Sequence, residues 1–296
     1  MKTGLDVRSA VRDANEVFGR YTARIAVLPV LMGLFGYATT AWMPPDYYQN
    51  THDNPILVLL FIFGGGFVLF WINYFIEVVV SSMYLRAREG EEPGTKQVGE
   101  VWQYRGFASV AGGLFLRCLG WGGLLGLAFG VLLLLAGIFS NIANKGGSTS
   151  GIVATAGGVG HGFDIVIGVI VMVGFVLIAT RIFCRYMFIF PMYAIERGGG
   201  SGFLDECVAR TEEAWKTAAL VTIAGGIPTC LIMGLESLAW WHWTPPHGVH
   251  LAVEVAGAIL TGCFTAWFIL VKTGLAIQLM TAPAAAIEPV GDGAAI

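Results

Sequence analysis

Three ionisable residues, Glu77, Arg185 and Lys272, sit in stretches that are otherwise almost wholly apolar. A charge in such surroundings is expensive, so it is paired or faces a cavity. Each lies a few helical turns before the end of a long hydrophobic stretch. All three therefore share one depth if those stretches run in the same direction. Two readings follow. The cluster could bind a coupling ion or an anionic headgroup. Alternatively, Glu77 holds a structural ion pair while the cations snorkel to the interface. Glu77 is the informative member, because a carboxylate reaches less far than Lys or Arg.

Little else in the chain suggests chemistry. His52, His161, His242, His247 and His250 all lie between the hydrophobic stretches, which argues against a bis-His haem, since that needs imidazole at depth. His247, His250 and Glu254 have i, i+3, i+7 spacing and would share one side of a helix, where they could take a transition metal or sense pH. Polar residues in outer loops are the plainer reading, and neither metal nor cofactor is expected. Cys118, Cys184, Cys207, Cys230 and Cys263 show no C-x-x-C pairing and read as small packing residues. There is no G-x-S-x-G, H-E-x-x-H or Walker loop, and Gly157–Gly160 has no following cytoplasmic phosphate site. An enzyme is not expected. The Arg residues are sparse and interleaved with acids, so a nucleic-acid partner is not expected either.

The elements that position these residues follow from hydropathy. Of 296 residues, 56% are hydrophobic and 12% charged, against about a quarter charged in soluble domains. About 20 apolar residues cross a bilayer. The sequence predicts an all-α, polytopic membrane protein with one domain over 1–281 and spans over 25–43, 56–85, 118–139, 163–195, 217–240 and 251–280. The second, fourth and sixth are long enough to tilt or to project into the cytoplasm. Of the 17 Lys and Arg residues, all but Lys145 fall on one side of this arrangement. By the positive-inside bias, both termini are then cytoplasmic. The first 24 residues are polar and amphipathic, so no cleavable signal peptide is expected. Residues 140–162 read as a flexible outer loop, and 282–296, rich in Ala, Pro and Gly, as a disordered cytoplasmic tail. Trp42, Tyr47, Tyr48, Trp240, Trp241 and Trp243 form an outer aromatic belt, with Trp102, Tyr104 and Trp215 near the inner one.

The spans pair into a threefold internal repeat of helical hairpins, each led by an amphipathic cytoplasmic helix. Val7, Val11, Ala14 and Phe18 recur in type and spacing as Leu204, Val208, Thr211 and Trp215. Met83-Tyr84, Arg88 and Gly90 match Met192-Tyr193, Arg197 and Gly199, whereas the middle amphipathic copy near 98–107 is degenerate. These helices either lie in the inner interface or cover the cytoplasmic ends of the bundle. The net-basic first helix suits the interface, and the net-acidic third suits packing. Among 41 glycines, Gly122, Gly126 and Gly130 fall on one helix face, which serves close packing in the bundle or against a partner. Gly64–Gly66, and Gly225-Gly226 before Pro228, are expected kinks.

One segment carries a family likeness. Phe190-Pro191-Met192-Tyr193, Gly198 to Gly200 and Glu206 to Trp215, within 188–220, resemble the cytoplasmic elbow of uncharacterised bacterial six-span families. Those families include the membrane domain attached to some glycerophosphodiester phosphodiesterases. Cys207 and Thr211 depart from the pattern, and no phosphodiesterase domain is present, so no catalytic residue carries over. The likeness implies a prokaryotic inner-membrane protein with lipid or assembly roles. The expected function is therefore a scaffold, accessory subunit or lipid-interacting component, with membrane lipids and other membrane subunits as partners. The alternative is a transporter or channel using Glu77, Arg185 and Lys272. A cavity reaching Glu77 favours the alternative, and a dry core with an exposed Gly122–Gly130 face favours the scaffold.

Overall fold

The computed structural model describes residues 5–42, 64–145, 173–200, 202–212, 214–242 and 247–281, without the side chains of 37, 39–42, 129, 132–145, 229, 230, 233, 235–242, 247, 248 and 250. Among the described residues all regular structure is helical, apart from a single-residue bridge between Arg105 and Gly198.

Helix α1 (Val7–Ile25) opens on an N-cap, Asp6, whose carboxylate accepts from Ser9 N at 3.1 Å and so satisfies one orphan donor of the first turn. Its small residues Ala10 and Ala14 are buried on the apolar stripe. Only Ala26 separates it from α2 (Val27–Trp42), and the two helices bend by 56°. Next come α3 (Gly66–Arg88), α4 (Lys96–Trp102) and α5 (Phe107–Lys145). A helix over 173–184 is α6. It is followed by α7 (Ile189–Glu196), α8 (Phe203–Glu212), α9 (Trp215–His242) and α10 (His247–Thr281).

Among the described residues four stretches are long and apolar enough to cross a membrane: Gly66–Arg88, Phe107–Ala128, Val173–Glu196 and Leu251–Thr281. Counting the bent pair Val7–Ile25 and Val27–Gly36 as one broken span brings the number to five. The expected span over 217–240 falls inside the 28-residue α9. Residues 43–63, 146–172 and 282–296, which include the expected tail, lie outside the described residues, and of the expected outer loop over 140–162, residues 140–145 continue α5 while the rest lies outside them.

Two boundaries differ from expectation. The stretch predicted as one helix over 163–195 breaks at 185–188. Pro191 has no N–H to return to the carbonyl of Met187, so the helix stops and restarts with proline in the first turn of α7, where a missing donor costs least. The predicted span at 118–139 belongs to a helix that starts at Phe107. Gly112, Gly113 and Arg117 lower the local hydropathy, yet Arg117 leaves the helix sideways to meet Asp205 at 2.8 Å.

Helices α3, α7 and α10 contact one another pairwise and form the centre. Tyr84, Phe188, Tyr193 and Leu275 are fully buried there, and Tyr74 stacks on Phe190 at 4.1 Å between centroids. The remaining helices wrap this trio: α1 and α2 on α10, α4 and α5 on α3, α8 on α7. Helix α1 lies along the last third of α10. Asp6 N donates to Gln278 Oε1 at 2.8 Å, Ala10 packs against Gly274, and Trp267 Nε1 donates to Asn15 Oδ1 at 2.7 Å. Of the two readings of the amphipathic helices, α1 thus follows the packing one, because its stripe of small residues fits closely against a helix.

The elbow after α7 is built on unusual backbone. Arg197 (φ 56°) and Gly202 (φ 94°) are left-handed. Gly106 (φ 83°) faces the carbonyl oxygen of Gly199, which would stand 2.5 Å from any added Cβ, so only glycine fits. The Arg105 carbonyl accepts from Tyr193 Oη at 2.9 Å and from Gly199 N at 3.3 Å. This clip ties the 103–106 turn to the elbow.

Candidate functional site

Two of the three intramembrane charges meet. Lys272 Nζ donates to Glu77 Oε1 across the α3–α10 seam, with side-chain exposures of 12% and 9%. Helical spacing explains the pairing. On α3, Glu77 and Ser81 are one turn apart on the face toward α10. On α10, Lys272 and Thr273 are consecutive. Thr273 Oγ1 donates to Ser81 Oγ at 2.8 Å, and both residues are fully buried. The seam is therefore a short polar ladder in an apolar core. Interhelical hydrogen bonds of this kind contribute on the order of 1 kcal/mol each. Losing one partner of the buried ion pair costs more, about 3–5 kcal/mol, because an uncompensated charge remains.

Arg185 stands apart. It lies in the 185–188 turn and pairs with Glu212 of α8 at 2.6 Å. The expected three-charge cluster is therefore an ion pair plus a separate surface bridge. Depth along a span was readable from sequence, but the angle around the helix axis was not. The break at 185–188 turns Arg185 toward α8.

The Glu77–Lys272 pair forms one wall of a cleft of about 390 Å³ between α2, α3 and α10. Asn73 and Glu77 line it from α3, Thr261, Thr265, Phe268 and Lys272 from α10, and Pro29 and Gly33 from α2. On α10 these residues recur at i, i+4, i+7 and i+11, a single stripe. Asn73 is exposed, one turn above Glu77. Lys272 Nζ also stands 5.6 Å from the ring centroid of Phe268, a cation–π distance. The upper floor of the cleft is a backbone crossing of α2 and α10. A Cβ on Gly262 would lie 2.6 Å from Val30 Cα, and one on Gly33 3.1 Å from the Ala258 carbonyl oxygen. Sequence reasoning found Glu77 and Lys272 but missed Asn73, Thr261 and Thr265. Asn73 lies four residues before Glu77, and Thr265 and Thr261 lie seven and eleven before Lys272, a helical spacing that was the available signal.

Phe268 also borders a second, apolar groove of about 250 Å³ between α1, α9 and α10, lined by Val11, Gly225, Pro228 and Trp267. Helix α9 runs unbroken through Pro228. Gly225 makes room for the Phe268 ring, 2.2 Å from where a Cβ would stand.

Gly122, Gly126 and Gly130 lie exposed on α5, and an added Cβ at each would meet nothing within 4 Å among the described residues. They do not pack inside the described bundle. His247 and His250 fall in the first turn of α10, their side chains outside the described residues, and Glu254 follows on the same helix. His52 and His161 lie outside the described residues. Among the described residues no group of three or more His, Cys, Asp or Glu side chains converges as a metal site. Cys207, on α8, is 3% exposed, and burial, with Glu196 and Glu206 nearby, pushes its thiol up to about 12. No family model, curated protein or solved structure matches the chain.

Proposed function

We propose that the protein is a non-enzymatic, six-span protein of a prokaryotic inner membrane, with both termini cytoplasmic. In this reading it binds membrane lipid by its headgroup in the α2–α3–α10 cleft and acts as a lipid-interacting component of a membrane assembly. The carrying observation is the place of the Glu77–Lys272 pair on the cleft wall. Asn15 of the charged, amphipathic α1 bonds Trp267. Lys272 lies five residues further inward, about 7.5 Å at the rise of an α-helix. That depth suits the inner headgroup layer, where a buried charged pair meets lipid polar groups, rather than the bilayer centre, where a coupling ion would be held.

A threefold arrangement supports the six-span reading. Central helices α3, α7 and α10 would be the return spans of three hairpins. The amphipathic helix of each unit packs on the return span of the unit before it: α4 on α3, α8 on α7, and α1 on α10. The likeness of 188–220 to the six-span families points to the same class. The exposed Gly122–Gly130 face favours a role as accessory subunit, since a partner helix could approach its backbone closely.

Gentle extraction and native mass measurement test this reading. Wild type is expected to retain phospholipid, and a Glu77→Gln/Lys272→Met variant to lose it while keeping its fold. Wild type carrying no lipid would refute the proposal. A transporter remains the second reading, favoured by the same cleft reaching a titratable carboxylate. Glu77-dependent flux in proteoliposomes would establish it.

A further inference from the structure

Resting on the lipid-binding reading, we infer that the cleft selects a zwitterionic headgroup carrying a primary ammonium and a phosphoryl group, that is, an ethanolamine-type phospholipid. The argument starts from charge. Glu77 and Lys272 satisfy each other, so the site has no net charge and each side chain has one partner to exchange. A ligand that enters must replace both halves of the pair. A purely anionic headgroup offers an acceptor to Lys272 but leaves the Glu77 carboxylate buried without its cation, a costly state. A simple cation leaves Lys272 in the same position. A zwitterion replaces both, ammonium on Glu77 and phosphoryl on Lys272.

Donor and acceptor chemistry then narrows the class. Glu77 offers carboxylate oxygens, and Asn73 stands one turn from it on the same helix, while Thr261 and Thr265 lie further along the α10 stripe, eleven and seven residues from Lys272. Beside the pair the cleft therefore presents a carboxylate and an amide carbonyl, both acceptors for N–H. A primary ammonium brings three donors to such a set. A trimethylammonium brings none, and would bury the Glu77 oxygens without hydrogen bonds. Phe268, whose ring already lies 5.6 Å from Lys272 Nζ, can keep the lysine beside the aromatic face while its hydrogen bond passes from Glu77 to phosphate. Phe268 also borders the neighbouring apolar groove, which places a surface for hydrocarbon beside the polar cleft. A diacyl lipid uses both features, whereas a soluble zwitterion uses only the first.

The test is competition in nanodiscs holding equal amounts of ethanolamine, choline and glycerol phospholipids of one acyl composition. Lipid retained by the released protein is then weighed by native mass spectrometry. Wild type is expected to hold the ethanolamine class about tenfold or more over either competitor, the scale of one hydrogen bond to a charged group. Glu77→Gln should lose the preference over choline lipid while still retaining lipid. The Glu77→Gln/Lys272→Met variant removes the pair without leaving a lone charge and guards against a folding failure. It should retain little lipid of any class. Lipid held in the proportions supplied would overturn the headgroup inference and leave lipid binding standing. No retained lipid would overturn both. Glycerophosphoethanolamine, added at millimolar concentration, is expected not to displace the lipid. Displacement that depends on Glu77 would make the soluble zwitterion the ligand and overturn the lipid assignment.

Discussion

Gly262 carries the closest helix crossing beside the cleft, and Gly262→Ala is the sharpest test of that geometry. The new Cβ would stand 2.6 Å from Val30 Cα and 2.7 Å from Val30 N. Ordinary contact begins at 3.4 Å, so α2 and α10 must separate by up to about 1 Å, and the obstructing atoms are backbone that cannot rotate away. Overpacking of this kind costs about 1–3 kcal/mol. For a chain of this size that corresponds to roughly 2–12 °C in Tm, taking about 2–4 °C per kcal/mol. Gly126→Ala is the matched control. It is also helical, but its Cβ would meet nothing within 4 Å among the described residues, and alanine is the better helix former. Thermal unfolding in detergent, followed by tryptophan fluorescence, should show the first variant falling and the second unchanged or slightly raised. Equal melting of Gly262→Ala and wild type would refute the α2–α10 crossing and with it the upper floor of the cleft.

Four other outcomes follow from the structure. Glu77→Gln and Lys272→Met should each destabilise by about 3–5 kcal/mol, and the double variant by clearly less than their sum. Additive losses in denaturant titrations would mean that the two side chains do not meet. Tyr193→Phe should cost about 1 kcal/mol, because it removes the bond to the Arg105 carbonyl. Tyr84→Phe should be neutral or stabilising in the same melts, since Tyr84 Oη is buried with no hydrogen-bond partner among the described residues. Cys207 should resist maleimide at neutral pH in the folded protein and react on denaturation. Its thiol titrates near 12, so almost no thiolate exists at pH 7, and burial blocks access. Native labelling of Cys207 within minutes would contradict the packing of α8.

Hydropathy located the helices well because it depends only on composition along the chain. The second and sixth expected spans, 56–85 and 251–280, end within a few residues of α3 (Gly66–Arg88) and α10 (His247–Thr281). It failed where a single residue decides. Pro191 splits the fourth span by removing one donor, and a window average dilutes that effect. The polar ladder was half legible. Glu77 and Lys272 stand out as charges among apolar neighbours, so their pairing could be expected from depth. Ser81, Thr273, Asn73 and Thr261 are ordinary in membrane helices, and only the register of α3 against α10 sets Ser81 on Thr273 and puts Asn73 and Thr261 along one cleft. Arg185 misled for the same reason, since its partner Glu212 lies on a separate amphipathic helix. Gly225-Gly226, close to Pro228, reads as a kink from local pattern alone. The ring of Phe268 occupies the space at Gly225, a tertiary contact that no local pattern announces.

The most direct test of lipid binding at the Glu77–Lys272 cleft is a cryo-electron-microscopy map of the protein in nanodiscs containing ethanolamine phospholipid. The account predicts headgroup density between α2, α3 and α10, with a phosphoryl oxygen within hydrogen-bonding distance of Lys272 Nζ and the ammonium against Glu77. A cleft without lipid density, its Glu77–Lys272 pair still closed, would contradict it.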